Sequence, residues 1–225
     1  MNVYLDSIGC RLNRSEIEAL ARRFAASGHF VVPRPDEADV VVVNTCAVTA
    51  QAERKTRHTI RALHRANPQA RIAIVGCYAS LRPERSASFP AVAWVVPNAE
   101  KERTVETVGG RRQEAGGKRQ ETFAAPFLRT RACVKVQDGC DNHCTYCVVR
   151  SLRGRSRSRP LAEVVTEVQA LVEAGYQEAV LTGVNLGSYG RDLGLEPPAG
   201  LDQRLHLGHH LGQGAAAGAP AQRAH

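Results

Sequence analysis

Three segments of this chain end in the same way. An apolar run closes on a small residue and then a cysteine: DSIGC at Cys10, VVVNTC at Cys46 and IAIVGC at Cys77. The runs 3–6, 39–43 and 71–75 read as strands, and 91–96 as a fourth. Helical patterns separate them. The first covers 15–27, with Ile17, Leu20 and Phe24 at helical spacing, the second covers 49–66, and a short third opens at Pro83. Strands alternating with helices predict a mainly parallel α/β sheet. The carboxyl ends of parallel strands share one edge, where ligand sites of open α/β sheets gather. Three cysteines distant in sequence are therefore expected to converge. The pattern alone leaves open whether they are metal ligands or small buried residues, which cysteine often is.

Four more cysteines follow, at 133, 140, 144 and 147. No run approaches the roughly 18 apolar residues of a membrane span, and MNVYLDSIGC lacks the pattern of a secretory signal. The expected compartment is the cytoplasm, where cysteines serve as ligands or in catalysis rather than as disulfides. The net charge of +8, from 30 basic and 22 acidic residues, favours a polyanionic partner. Residues 1–108 form the expected first domain. Gly and charge dominate GGRRQEAGGKRQE, and 109–125 reads as a linker. A second domain is expected over 126–194. Its strand 132–136 runs into the cysteine loop, helix 161–174 carries Val164, Val165, Val168 and Leu171 on one face, and strand 178–182 follows. That unit is the incomplete start of a (β/α) barrel. Residues 195–225 show no periodic face and read as a disordered low-complexity tail.

Cys140, Cys144 and Cys147 form CxxxCxxC in DGCDNHCTYC. Three thiolates suit three irons of a 4Fe-4S cluster with one iron left open, whereas a closed zinc site needs a fourth ligand, for which His143 is available. Tyr146 stands between the last two cysteines, where an aromatic can pack on a bound adenine or serve as a plain loop residue. Cys133 lies on the preceding strand and reads as structural. Directly after the loop come Arg150, Arg153, Arg155, Arg157 and Arg159. They are candidates for phosphate contacts, although one arginine pairing with a carboxylate of the fold is the bland alternative. The 49–66 helix is also basic, with its charge spread around the helix. Asn13 and Asn44 are candidates for orienting the loops near the first cysteines. Asn185 and Tyr189 fall at the carboxyl end of a barrel strand, where barrel sites form.

CDNHCTYC after a strand resembles the signature of the radical S-adenosylmethionine (radical SAM) enzymes. Together, GCRLNRSE, VVNTCAVTAQAERKTR, IVGCYA, VKVQDGCDNHCTYC, RGRSRSRP and TGVNLGSYG resemble the methylthiotransferases. NTCAVTA and QDGC are most similar to the branch acting on threonylcarbamoyladenosine in tRNA. The resemblance covers roughly 1–194. It stops ahead of the remaining barrel strands and the small β-rich tRNA-binding domain of the family. A C-terminally truncated or frameshifted chain is therefore expected, with its own activity left open.

The resemblance implies two 4Fe-4S clusters. Cys140, Cys144 and Cys147 would ligate the radical-generating one, and Cys10, Cys46 and Cys77 an auxiliary one carrying the sulfur to be transferred. S-adenosyl-L-methionine would supply both the methyl group and the radical, with Tyr146 and Asn185 as cofactor contacts. The substrate would be adenosine 37 in the tRNA anticodon loop, modified at C2, with the five arginines as substrate contacts. No protein side chain is expected to act as an ordinary acid, base or nucleophile. A low-potential electron donor and a sulfur source would be partners. Two alternatives remain at this point: the isopentenyladenosine branch of the same family, and a non-catalytic iron–sulfur or zinc module that binds nucleic acid.

Overall fold

The computed structural model describes residues 1–109 and 131–195, and the backbone of 204–206. In the first part, β1 (Asn2–Ser7), α1 (Arg11–Ala26), β2 (Phe30–Val31), β3 (Val40–Thr45), α2 (Ala50–Ala66) and β4 (Arg71–Gly76) follow in order. Next come α3 (Cys77–Leu81), α4 (Pro83–Ala87), β5 (Val92–Pro97) and α5 (Thr104–Gly109). The strands form one sheet, ordered β2-β1-β3-β4-β5 and parallel throughout.

β3 is buried along its whole length because both sheet faces are covered. Val41 and Val43 join Ile60, Leu63, Ile72, Ile74 and Tyr78 on the α2 and α3 side. Val40 and Val42 join Ile17, Leu20, Phe24, Val75 and Val105 on the α1 and α5 side. The expected alternation and parallel sheet are both present. Helix α1, however, begins at Arg11 rather than Ser15. Its first turns bury Asn13, Ser15 and Glu16, polar residues invisible to apolar periodicity.

The second part contains β6 (Arg131–Lys135), β7 (Gln137–Asp138), α6 (Val149–Arg153), β8 (Arg157–Ser158), α7 (Leu161–Glu173) and β9 (Glu178–Thr182). β6 and β9 are parallel neighbours, with Cys133 opposite Val180, and α7 crosses between them as a βαβ unit requires. Val164 and Leu171 of α7 enter the core, but Val165, expected on the same face, is exposed. β7 and β8 pair antiparallel and form the base of the cysteine loop. β10 (Arg204–His206) lies antiparallel to the free edge of β9, which corrects the expectation of a structureless tail at these three residues. An unpaired strand edge offers hydrogen bonds to any available backbone. Residues 110–125 of the expected linker, and the rest of the tail beyond 195, lie outside the described residues.

Helix α1 joins the two parts, with one face on the parallel sheet and the other toward β6. Glu18 accepts the Cys133 amide at 3.1 Å, Thr182 Oγ1 meets Ser15 Oγ at 3.3 Å, and Arg22 pairs with Glu167 at 2.6 Å.

Candidate metal centre

Cys10, Cys46 and Cys77 follow β1, β3 and β4, three adjacent parallel strands, so all three sit on one sheet edge. Two glycines make the approach possible. Gly9 has φ +115°, and a Cβ there would lie 2.6 Å from Cys46 Cβ and 3.1 Å from its sulfur. Gly76 has φ +97°, and its Cβ would lie 2.4 Å from Asn44 Oδ1. Asn13 donates to the Ile8 and Thr45 carbonyls at 2.8 and 3.0 Å, tying the Cys10 loop to the Cys46 loop. Asn44 donates to the Asn13 carbonyl at 2.9 Å. Both asparagines thus orient loops as expected.

Cys10 is exposed at the start of α1, while Cys46 and Cys77 are buried. Burial pushes the Cys46 thiol up, and the nearby Cys77 and Cys10 push it further. Metal ligation requires thiolates, so such a site needs neighbouring positive charge. A buried ion network supplies it. Arg153 donates to Glu16 at 2.9 Å, to Asp138 at 3.0 Å and to Asn13 Oδ1 at 2.8 Å. Glu16 also pairs with Lys101 at 2.6 Å and with Lys135 at 3.5 Å. Burial alone would raise Glu16, but Lys101 and Arg153 hold it well below the usual carboxylate range. Burial beside Arg153 pushes Lys101 below the usual ammonium range. Arg153 also feels the field of Cys77.

The second triplet lies on the loop from β7 to α6. Cys140 is half-buried, and Cys144 and Cys147 are exposed. Gly139 has φ +68°, and a Cβ there would fall 1.9 Å from the Arg155 carbonyl oxygen, so the loop base admits glycine alone. The Cys140 amide donates to Gly154 O at 3.1 Å, closing that base. Gln137, fully buried, donates to Gly139 O at 2.7 Å and Ser156 Oγ at 2.9 Å and accepts the Asn185 amide at 2.9 Å. Asn185 is thereby fixed beside the loop, half-buried. Tyr146 is 90% exposed at the loop tip.

The five arginines separate. Arg153 is buried in the ion network, which corrects the expectation that it faces a substrate. Arg159 is half-buried, on Glu167 at 2.6 Å and the Lys135 carbonyl at 2.9 Å. Arg155 pairs at the surface with Asp141 at 3.3 Å, Arg157 donates to the Arg153 carbonyl at 3.2 Å, and Arg150 meets His143. On α2, Arg54, His58, Arg61 and Arg65 are exposed at helical spacing. Lys55, exposed, and Arg57 and His64, half-buried, carry the basic charge to either side of that row, so it is spread over the helix as expected. Cys133 is buried on β6, opposite Val180, with its amide on Glu18 of α1.

Gln137, Glu16 and Lys101 were not singled out from the sequence. For Gln137 a signal existed: a lone amide closing the apolar strand VKVQ just before the cysteine loop. Glu16 and Lys101, 85 residues apart, carried none.

The donor set suits soft metal chemistry: two sets of free thiols, one backed by buried cations. Among the described residues, no three His, Cys, Asp or Glu side chains converge as around a single ion. Ligands of a cluster each take a different iron and need not converge so tightly. No described helix is long and apolar enough to cross a membrane.

Two family models match separate parts of the chain. Residues 2–96 match the model of Uncharacterized protein family UPF0004, and residues 134–195 that of the Radical SAM superfamily. The threonylcarbamoyladenosine tRNA methylthiotransferase MtaB of Thermotoga maritima is 39% identical over 201 residues, covering 85% of this chain and 46% of that protein. The Bacillus subtilis protein of the same name is 36% identical over 203 residues, covering 85% and 45%. A tRNA-2-methylthio-N(6)-dimethylallyladenosine synthase of Dehalococcoides mccartyi is 36% identical over 204 residues, covering 86% and 45%. The chain thus spans about half the length of these relatives. Among solved structures, the radical S-adenosylmethionine methyltransferase TsrM from Kitasatospora setae matches 83% of this chain and 48% of its own, with TM-score 0.52 and 16% identity. That likeness concerns the fold.

Proposed function

Because the chain belongs to the radical S-adenosylmethionine methylthiotransferase family, we propose that it provides the auxiliary-cluster domain and opening radical domain of a tRNA methylthiotransferase. The reaction is methylthiolation at C2 of N6-threonylcarbamoyladenosine 37. The observation that carries this reading is the gathering of Cys10, Cys46 and Cys77 at one sheet edge, with Arg153 linking that edge to the CxxxCxxC loop.

Cys140, Cys144 and Cys147 would hold one 4Fe-4S cluster and Cys10, Cys46 and Cys77 another. When bound with S-adenosyl-L-methionine, these supply reductive sulfonium cleavage and the sulfur to be transferred. The chain's own residues position and insulate. Gln137 and Gly139 set the base of the loop, and Tyr146 offers an exposed ring for an adenine face. Asn185 lies beside the loop as a further cofactor contact. Arg150, Arg155 and Arg157 stay near the surface for backbone phosphates of the anticodon loop. Arg153 serves instead as counter-charge to the auxiliary thiolates. A low-potential electron donor, a sulfur source and a cytoplasmic setting belong to the same reading.

Four of the similar proteins are named for the threonylcarbamoyl substrate, while the name of the Dehalococcoides protein favours the isopentenyl alternative. Two anticodon stem-loops, one with each modification, separate them. The anaerobically reconstituted chain is given reductant, sulfide and S-adenosylmethionine, and nucleosides are read by mass spectrometry. A methylthio product from the threonylcarbamoyl loop is expected. Product from the isopentenyl loop alone would move the assignment to that branch. Zinc in place of iron and sulfide would overturn the reading.

A further inference from the structure

We propose that Asn98 is a positioning residue that hydrogen-bonds the sulfur of Cys77 and ties it to the chain leaving the CxxxCxxC loop. The inference rests on the cluster reading above and adds a residue to it. Asn98 begins the turn after β5. Its backbone amide donates to Ser80 Oγ at 2.8 Å, and Ser80 belongs to α3, the helix that Cys77 opens. So held, the Asn98 Nδ2 group directs one hydrogen to Cys77 Sγ at 3.3 Å and the other to the Leu152 carbonyl at 3.1 Å. The orientation of the amide is determined. Turned over, its oxygen would meet the Leu152 carbonyl, acceptor against acceptor.

The choice of partner is informative. A neutral cysteine sulfur is a weak acceptor, and a buried amide hydrogen directed at one gains little. The bond strengthens once the sulfur carries charge, as a metal-bound thiolate does. Hydrogen bonds to ligand sulfurs also help set cluster potentials, because they favour the more negative, reduced state. The second hydrogen lands on Leu152, five residues past Cys147, beside Arg153. At the other end of the edge the free Cys10 thiol donates to Asn13 Oδ1 at 3.7 Å, a contact a metal-bound thiolate would give up, while Arg153 donates to the same oxygen at 2.8 Å. Leu152 is thus tied, through Asn98, to a sulfur of the first triplet. Of the asparagine amides with described hydrogen bonds, Asn98 donates to sulfur, while those of Asn13 and Asn44 donate to oxygen.

The test uses the full chain with Cys140, Cys144 and Cys147 replaced by serine, reconstituted with iron and sulfide so that signals come from Cys10, Cys46 and Cys77. Isotopically labelled asparagine is incorporated, and electron spin-echo spectra of the reduced protein are recorded. Nitrogen coupling from the label is expected, and its absence overturns the proposal without need of any variant at 98. Asn98→Leu should abolish the coupling and shift the reduction potential negative, and Asn98→Gln should restore part of that shift. An Asn98→Leu potential equal to the parent's at equal iron content overturns it too. Failure to hold a four-iron cluster at these cysteines overturns the cluster reading along with this one, whereas a cluster lacking nitrogen coupling overturns this one alone.

Discussion

Replacing Arg153 with methionine keeps an unbranched apolar stem and removes the guanidinium and its charge. The guanidinium is buried, with Glu16 at 2.9 Å, Asp138 at 3.0 Å and Asn13 Oδ1 at 2.8 Å. Removing one member of a buried pair costs about 3–5 kcal/mol, because the other charge stays desolvated. Here Glu16 keeps Lys101 at 2.6 Å and Asp138 keeps Lys135 at 3.3 Å. We therefore expect the lower end, about 3 kcal/mol. Glu16→Leu leaves Arg153 and Lys101 as buried neighbours of like charge and should cost about 5 kcal/mol. The double variant should fall short of the sum by about 1–3 kcal/mol, as groups sharing one network do. Urea unfolding under reducing conditions, read by midpoint at constant slope, measures all three. The pH dependence gives an independent check. The folded value for Glu16 lies below its ordinary 4.5, so its contribution is complete above that pH and is lost as pH falls further. Stability of the parent should therefore drop steadily below pH 4.5, and Arg153→Met should flatten that decline. A loss below about 0.5 kcal/mol for Arg153→Met, the size of an ordinary surface change, or strict additivity in the cycle, would refute the network.

Other outcomes follow from single contacts. Gly76→Ala must relieve a 2.4 Å approach to Asn44 at a positive φ, so it should lower stability and halve bound iron by emptying the Cys77 side, as read by iron analysis. Cys133→Ala removes a buried thiol on β6 and should leave iron and sulfide per chain unchanged; lost iron would make Cys133 a ligand. Tyr146→Ala, at a 90% exposed position, should change stability by no more than about 0.5 kcal/mol yet weaken binding of S-adenosylmethionine in equilibrium dialysis. Unaltered binding would assign the ring to the loop alone.

The parallel sheet was legible because β3 and β4 are short β-branched runs and breakers bound the strands: Gly9 after β1 and Gly76 at the end of β4, with Thr49 capping α2 beyond β3. The same punctuation placed the three cysteines at one edge. What stayed hidden is polar burial. The start of α1 carries Asn13, Ser15 and Glu16 inward because a second part of the chain covers it, and hydrophobic periodicity does not register such residues. Arg153 looked like its four neighbours because its partner Glu16 lies 137 residues away. The pairing of β10 with β9 depends on an open edge rather than on any pattern in RLH.

The central claim is that two cysteine triplets hold two separate clusters. Iron and acid-labile sulfide, counted in the anaerobically reconstituted chain and in two variants, test it most directly. One variant lacks Cys10, Cys46 and Cys77, and the other lacks Cys140, Cys144 and Cys147. About eight irons and eight sulfides are predicted for the parent, and about four of each for either variant. Zinc without sulfide, or one variant keeping the full complement, would contradict it.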